Sequence, residues 1–178
     1  MSNSTIQSNM KRRPVIAVIG DSKVERGTPK EALSESVGKE LVDAGFRVMT
    51  GGLGGVMAAA CRGAKLSRKY APGDTIGILP GHAACDANED VDIAIPTGLD
   101  HVRNSIVAHA DAVIAIGGGA GTMSEICLAW VYKRLIVSMR IDGWSLRMAD
   151  QRVDSRKRYP EIPGDCAYGA SNAREAID

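Results

Sequence analysis

The 178-residue chain is poor in aromatic side chains, with one Phe, four Tyr and two Trp. Single-stranded nucleic acids are held largely by bases stacked on such rings, so this scarcity counts against an RNA- or DNA-binding surface. An excess of one charge is missing too. Lys plus Arg number 22 against 21 for Asp plus Glu, so neither nucleic acid nor an anionic membrane is expected as a general partner. No apolar run reaches the roughly 20 residues that span a bilayer, and the polar start MSNSTIQSNMKRR has neither the apolar centre nor the cleavage site of a secretory leader. The four cysteines, Cys61, Cys85, Cys127 and Cys166, are widely scattered and read as buried thiols of a reducing compartment. His82 and Cys85 share an H-x-x-C spacing, but a structural zinc site wants four ligands, and no metal is expected. These absences leave a cytoplasmic protein with a disordered segment over residues 1–13 and a single domain over 14–178, its 44% hydrophobic content sufficient for one core.

What the chain has in quantity is glycine, 20 residues. Three groups of them sit where an apolar run gives way to a helical pattern. The first strand, residues 14–19, stops at Gly20-Asp21-Ser22. The second, 46–49, runs into Thr50-Gly51-Gly52-Leu53-Gly54-Gly55-Val56-Met57 and an alanine-rich helix. The third and central case is DAVIAIGGGAGTMSEICLAW, residues 111–130, in which the apolar run 112–116 meets Gly117, Gly118 and Gly119, then Ala120, Gly121, Thr122 and Ser124. Short apolar runs bounded by glycine suit parallel strands buried on both faces. The free N–H groups and positive dipole end of the following helix favour an anion at the same spot, usually phosphate. A plainer reading lets the glycines serve only close packing of helix on sheet, and for one isolated turn the two readings weigh equally. Two such turns in one small domain shift the balance towards a ligand.

Elsewhere, Thr28-Pro29-Lys30-Glu31 has the form of a capped helix start, and Gly45 is placed to end that helix. Further strands are expected over 74–79, 91–95, 135–139 and 165–168, the second of these at an edge or with a partly exposed face because Asp92 alternates in it. Residues 98–110 read as one helix with Leu99, Val102, Ile106 and Val107 facing inwards. Arg103 and Asn104 lie just off that face. The charged stretch 142–158 reads as a solvated helix or flap, the alternative being a lid or subunit contact with Trp144 as anchor.

The alternation of strand and helix implies an α/β fold, a Rossmann-like doubly wound, mostly parallel sheet with helices on both faces. Its ligand should lie at the carboxyl ends of the strands. The dinucleotide pattern G-x-G-x-x-G is missing after the first strand, which excludes an ordinary NAD-dependent dehydrogenase.

The segments GGLGGVM, TIGILPG and GLDHVRNSIVAHADAVIAIGGGAGTMSE, in this order and spacing, resemble the LOG-like (lysine decarboxylase-like) superfamily, and within it most closely the molybdenum cofactor carrier proteins. The likeness runs from Pro14 to the region of Gly143-Trp144-Ser145. LOG enzymes are phosphoribohydrolases that release a cytokinin or adenine base from a nucleoside 5′-monophosphate, with a signature PGGxGTxxE and an upstream arginine. The resemblance places that arginine on Arg103 and that glutamate on Glu125. It also implies a homo-oligomer, dimer or tetramer. The chain departs from the signature in two places: Gly117 replaces the proline, and Ser124 stands where many LOG enzymes have a further glutamate. These departures leave phosphate binding intact and weigh against hydrolysis.

The candidate ligand-binding residues are therefore Gly20, Asp21, Ser22, Gly51, Gly52, Gly54, Gly55, Met57, Gly118, Gly119, Gly121, Thr122 and Ser124, with Arg103 and Glu125 as the pair that would act on an N-ribosyl bond. No cofactor is needed for folding. The ligand implied is molybdenum cofactor or a nucleoside monophosphate, held by a carrier or sensor; the alternative is a LOG-type phosphoribohydrolase. Near a helix N-terminus Glu125 is expected to be ionised. A competing reading has Glu125 close a capping box with Thr122 and do nothing else. Arg103 likewise has a bland alternative, as a solvated arginine lying beside the core.

Overall fold

The structure, a computed structural model, describes residues 12–178. The segment expected to be disordered thus lies mostly outside the described residues; its last two members, Arg12 and Arg13, pair with Asp111 and Asp74.

Seven strands form one parallel sheet: β1 (Val15–Gly20), β2 (Arg47–Thr50), β3 (Thr75–Leu79), β4 (Ile93–Pro96), β5 (Ala112–Ile116), β6 (Leu135–Met139) and β7 (Tyr168–Ala170). Their spatial order is β4-β3-β2-β1-β5-β6-β7, every pairing parallel. The fold is the Rossmann-like doubly wound sheet expected. The chain winds outwards from β1 to β4, then returns to start again at β5, so β1 and β5 flank the point where the winding reverses.

Burial on both faces explains the near-continuous apolar strands. On one face Ile16, Val18, Val48, Ile114 and Ile116 pack against helices α1 (Pro29–Asp43), α2 (Val56–Lys65) and, at the end of the chain, α6 (Ala173–Ile177). On the other, Ala17, Ile19, Val113 and Ala115 meet Val107 of α3 (Asn104–Val107), Ile126 and Trp130 of α4 (Ala120–Val131), and Met148 of α5 (Trp144–Met148). Helix α1 has Thr28 as N-cap and Pro29 in its first turn; the Glu31 carboxylate reaches back one residue further than a capping box would, to the Gly27 N–H. At its other end Gly45 (φ 90) lets the Phe46 N–H return to Leu41 O and its own N–H to Val42 O, a left-handed stop.

Four expectations need correction. The helix over 98–110 is a 3-10 turn, Asp100–Arg103, followed by the four-residue α3; of its supposed inner face only Val107 is buried, while Leu99, Val102 and Ile106 are exposed. The last strand begins at Tyr168, because Asp165 is spent on a buried pair with Arg158. Arg158, placed in a solvated stretch by its charged neighbours, is only 3% exposed: it stacks on Trp130, donates to both Asp165 oxygens and to Arg134 O, and so satisfies its buried charge. Of the four thiols only Cys61 is buried, which pushes it up to about 11, and Cys85 is exposed. Strand β4 lies at the sheet edge as expected, shifted to Ile93–Pro96; Asp92 just before it accepts from Tyr70 and from the N–H groups of Gly73 and Thr75.

Candidate functional site

The three glycine turns meet at the carboxyl ends of β1, β2 and β5, around a cleft of about 460 Å³. That volume lies within the roughly 300–1,000 Å³ of small-molecule sites. Gly20, Asp21, Ser22, Gly51, Met57, Arg103, Gly119, Gly121, Thr122 and Glu125 line it, together with Ile19, Leu53, His101 and Asn104. The remaining candidates stand behind this lining. A Cβ on Gly52 would strike Leu79, and one on Gly55 (φ 61) the backbone of Ser22 and Lys23. Gly54 sits beside Ser22 O, and Gly118 (φ 92) against Thr122. The Ser124 hydroxyl accepts from Asn104 Nδ2 (2.8 Å) and donates to Gly121 O (2.7 Å), tying α3 to the first turn of α4.

The central turn is heavily tied. The Gly117 N–H goes to Ser145 Oγ (2.7 Å) and the Gly118 N–H to Asp21 Oδ2 (3.0 Å), while the carbonyls of Gly117 and Gly118 accept from Ser145 and Trp144 N–H. Beyond them, the N–H groups of Gly119, Ala120, Gly121 and Thr122 have no protein acceptor among the described residues. These are the orphan donors of α4, and Gly119, Gly121 and Thr122 among them line the cleft.

Arg103 reaches in from the 3-10 turn. Any Cβ at Gly51 would collide with its guanidinium, so the glycine makes room for the arginine. Its Nε and Nη1 are buried with no hydrogen-bond partner among the described residues, and this burial pulls the guanidinium below its ordinary range. It is not solvated. Glu125 is 8% exposed and accepts no hydrogen bond among the described residues; burial raises its carboxyl to about 7, with the Arg103 charge opposing the rise. Both expectations for Glu125 therefore fail. The capping residue of α4 is Gly119, no side chain caps the helix, and Glu125 lies in its second turn, too far in for a capping box. There the helix end no longer outweighs the loss of water, and the carboxyl stands well above the ordinary carboxylate range.

Sequence reasoning missed Lys30, whose Nζ lies 2.6 Å from Asp21 Oδ2, because T-P-K-E reads as a helix start and nothing more. It missed Ser145 as well; only its place at the far end of the family likeness pointed that way.

The fold and cleft define an α/β protein with a cleft of small-molecule size at the reversal point of its sheet. The model of the SLOG cluster4 family matches residues 13–162, and the chain belongs to that family. An uncharacterized protein of Archaeoglobus fulgidus is 36% identical over 126 residues, 70% of this chain and 79% of that one. Among solved structures, the molybdenum cofactor binding protein of Rippkaea orientalis is 31% identical with a TM-score of 0.73, 94% of each chain being covered. The molybdenum cofactor carrier protein of Chlamydomonas reinhardtii is 28% identical with a TM-score of 0.72, over 93% of this chain and 94% of that one.

Proposed function

We propose that the cleft binds a small phosphorylated, nucleotide-like ligand, molybdenum cofactor in the first instance, and that the protein serves as its carrier or sensor in the cytosol. Arg103 carries this reading. Two buried guanidinium nitrogens, Nε and Nη1, without a partner among the described residues cost stability unless an anion completes them, and the unused amides of Gly119–Thr122 supply the rest of a phosphate cradle. The likeness to two molybdenum cofactor proteins supports the pterin ligand. Purified protein should bind AMP or molybdopterin, and Arg103→Ala should weaken binding of either by about 10- to 100-fold, the worth of one charge-assisted contact. Unchanged affinity would remove Arg103 from the site.

Glu125 favours a second reading, a nucleoside 5′-monophosphate phosphoribohydrolase. A buried carboxyl near pH 7 in the same cleft suits proton transfer. Ionised, it would stabilise the cationic ribose as the N-glycosidic bond breaks and accept a proton from the water that adds at C1′, while the base leaves with the bond pair. Incubation with AMP and N6-prenylated AMP, followed by chromatography for free base, separates the readings. Release that vanishes in Glu125→Gln would establish the hydrolase; binding without release leaves the carrier.

We also place a second copy of the chain on the bare side of β3 and β4. The return from β4 to β5 should cover that side and holds only the 3-10 turn and α3, which leaves Ile93, Ile95, Leu99, Val102 and Ile106 between 40% and 70% exposed. So many exposed apolar side chains on one edge strand and the connection that follows it favour self-association.

A further inference from the structure

Asp21 was grouped with the phosphate-binding residues, yet a carboxylate repels a phosphate. Its surroundings give it another task. Oδ2 accepts from Lys30 Nζ (2.6 Å) and from the Gly118 N–H (3.0 Å), and the Asp21 carbonyl accepts from the Val56 N–H (2.9 Å). One residue thus joins all three glycine turns. Oδ1 accepts no hydrogen bond among the described residues, and Asp21 lines the cleft.

Gly117 is built around this pair. Its φ is 66°, opposite in sign to the roughly −65° to which proline is locked. A Cβ there would collide with Asp21 Oδ2 and lie 2.6 Å from Lys30 Nζ. The glycine in place of the signature proline and the Asp21–Lys30 pair therefore belong together. The pair also consumes the Gly118 amide, so a phosphate is confined to the Gly119–Thr122 amides and Arg103.

We infer that Asp21, held through Oδ2 by Lys30 and Gly118, presents Oδ1 to the cleft as the acceptor for a hydrogen-bond donor on the part of the ligand remote from its phosphate. Resting on the ligand reading above, this assigns the ligand a polarity: phosphate towards α4 and Arg103, donor towards the tip of β1. Lys30 is a positioning residue. Two ligand parts offer such donors, the vicinal hydroxyls of a ribose and the amino and ring N–H edge shared by guanine and pterins.

The test is calorimetric titration of the full-length protein with AMP, 2′-deoxyAMP, GMP, IMP and inorganic phosphate. In Asp21→Asn the amide oxygen must turn to Lys30 and the Gly118 N–H, which puts the NH2 group, a donor, where Oδ1 had been. The variant should bind donor-bearing nucleotides about tenfold more weakly and keep its affinity for phosphate. The wild-type preference for AMP over 2′-deoxyAMP would identify the ribose hydroxyls as the donor, that for GMP over IMP the ring edge, and the preference should collapse in the variant. Lys30→Met should blunt it and Lys30→Arg restore it. Equal loss of nucleotide and phosphate affinity, or no loss, would overturn the assignment by reducing Asp21 to a turn fastener or a bystander, as would a wild-type protein that binds nucleotides without either preference. A wild-type protein that binds none of the five compounds would overturn this inference, and one that fails to bind molybdopterin as well would overturn the ligand reading itself.

Discussion

At the scale of single residues the site is governed by charge without water. Glu125 carries a carboxyl raised from 4.5 to about 7 by burial, against the pull of Arg103. A carboxyl raised on folding contributes stability that is full below about pH 4.5 and is lost as pH rises towards 7. Its size, at ~1.4 kcal/mol for each tenfold shift in proton affinity, is about 3 kcal/mol. Denaturant unfolding between pH 4.5 and 8 should show the wild type losing up to about that much relative to Glu125→Gln; parallel curves would mean that Glu125 is solvated. The sequence named both Glu125 and Arg103, but misjudged the surroundings of Glu125. Thr122 looks like an N-cap, and starting α4 there puts Glu125 in the first turn; the helix starts at Ala120, which carries Glu125 into the second turn and out of reach of the free amides.

The elements were legible wherever burial writes a pattern into the chain. Parallel strands covered on both sides leave short apolar runs between glycines, and β1, β2, β3, β5 and β6 follow from them. Illegible were the segments whose order comes from distant partners. Residues 142–158 look solvated by composition, yet Gly143 (φ 126) packs so closely on the central turn that a Cβ would come within 2.5 Å of Gly117, and Ser145 exchanges hydrogen bonds with the same residue. Helix α5 is thus a clasp on the ligand turn. Ser145→Ala leaves the Gly117 N–H buried and unpaired, so it should cost about 1–3 kcal/mol in chemical denaturation and weaken AMP binding in step. Stability lost without affinity would confine the clasp to folding.

For the whole molecule, the bare side of β3 and β4 sets the expectation. Residues 98–110 misled sequence reasoning here because an apolar helix stripe reads the same whether its own core or another chain covers it. Val102, 70% exposed at the centre of that stripe, is the residue to charge. Light scattering should find the wild type as a dimer or tetramer and Val102→Glu shifted to monomer with its unfolding midpoint little changed. A wild type already monomeric would leave the apolar face without its partner.

The reversal of winding between β1 and β5 also bears on how the protein acquires its function in time. The cleft draws its walls from both sides of that seam, and beyond the β1–β5 pairing itself the bond from Gly118 to Asp21 links residues 97 positions apart. Closing so long a loop is entropically slow compared with forming the α1–β2–α2 neighbourhood, whose contacts are local. During refolding the helices and the first three strands would therefore recover their signals early, and ligand affinity would return last, with the meeting of the two halves.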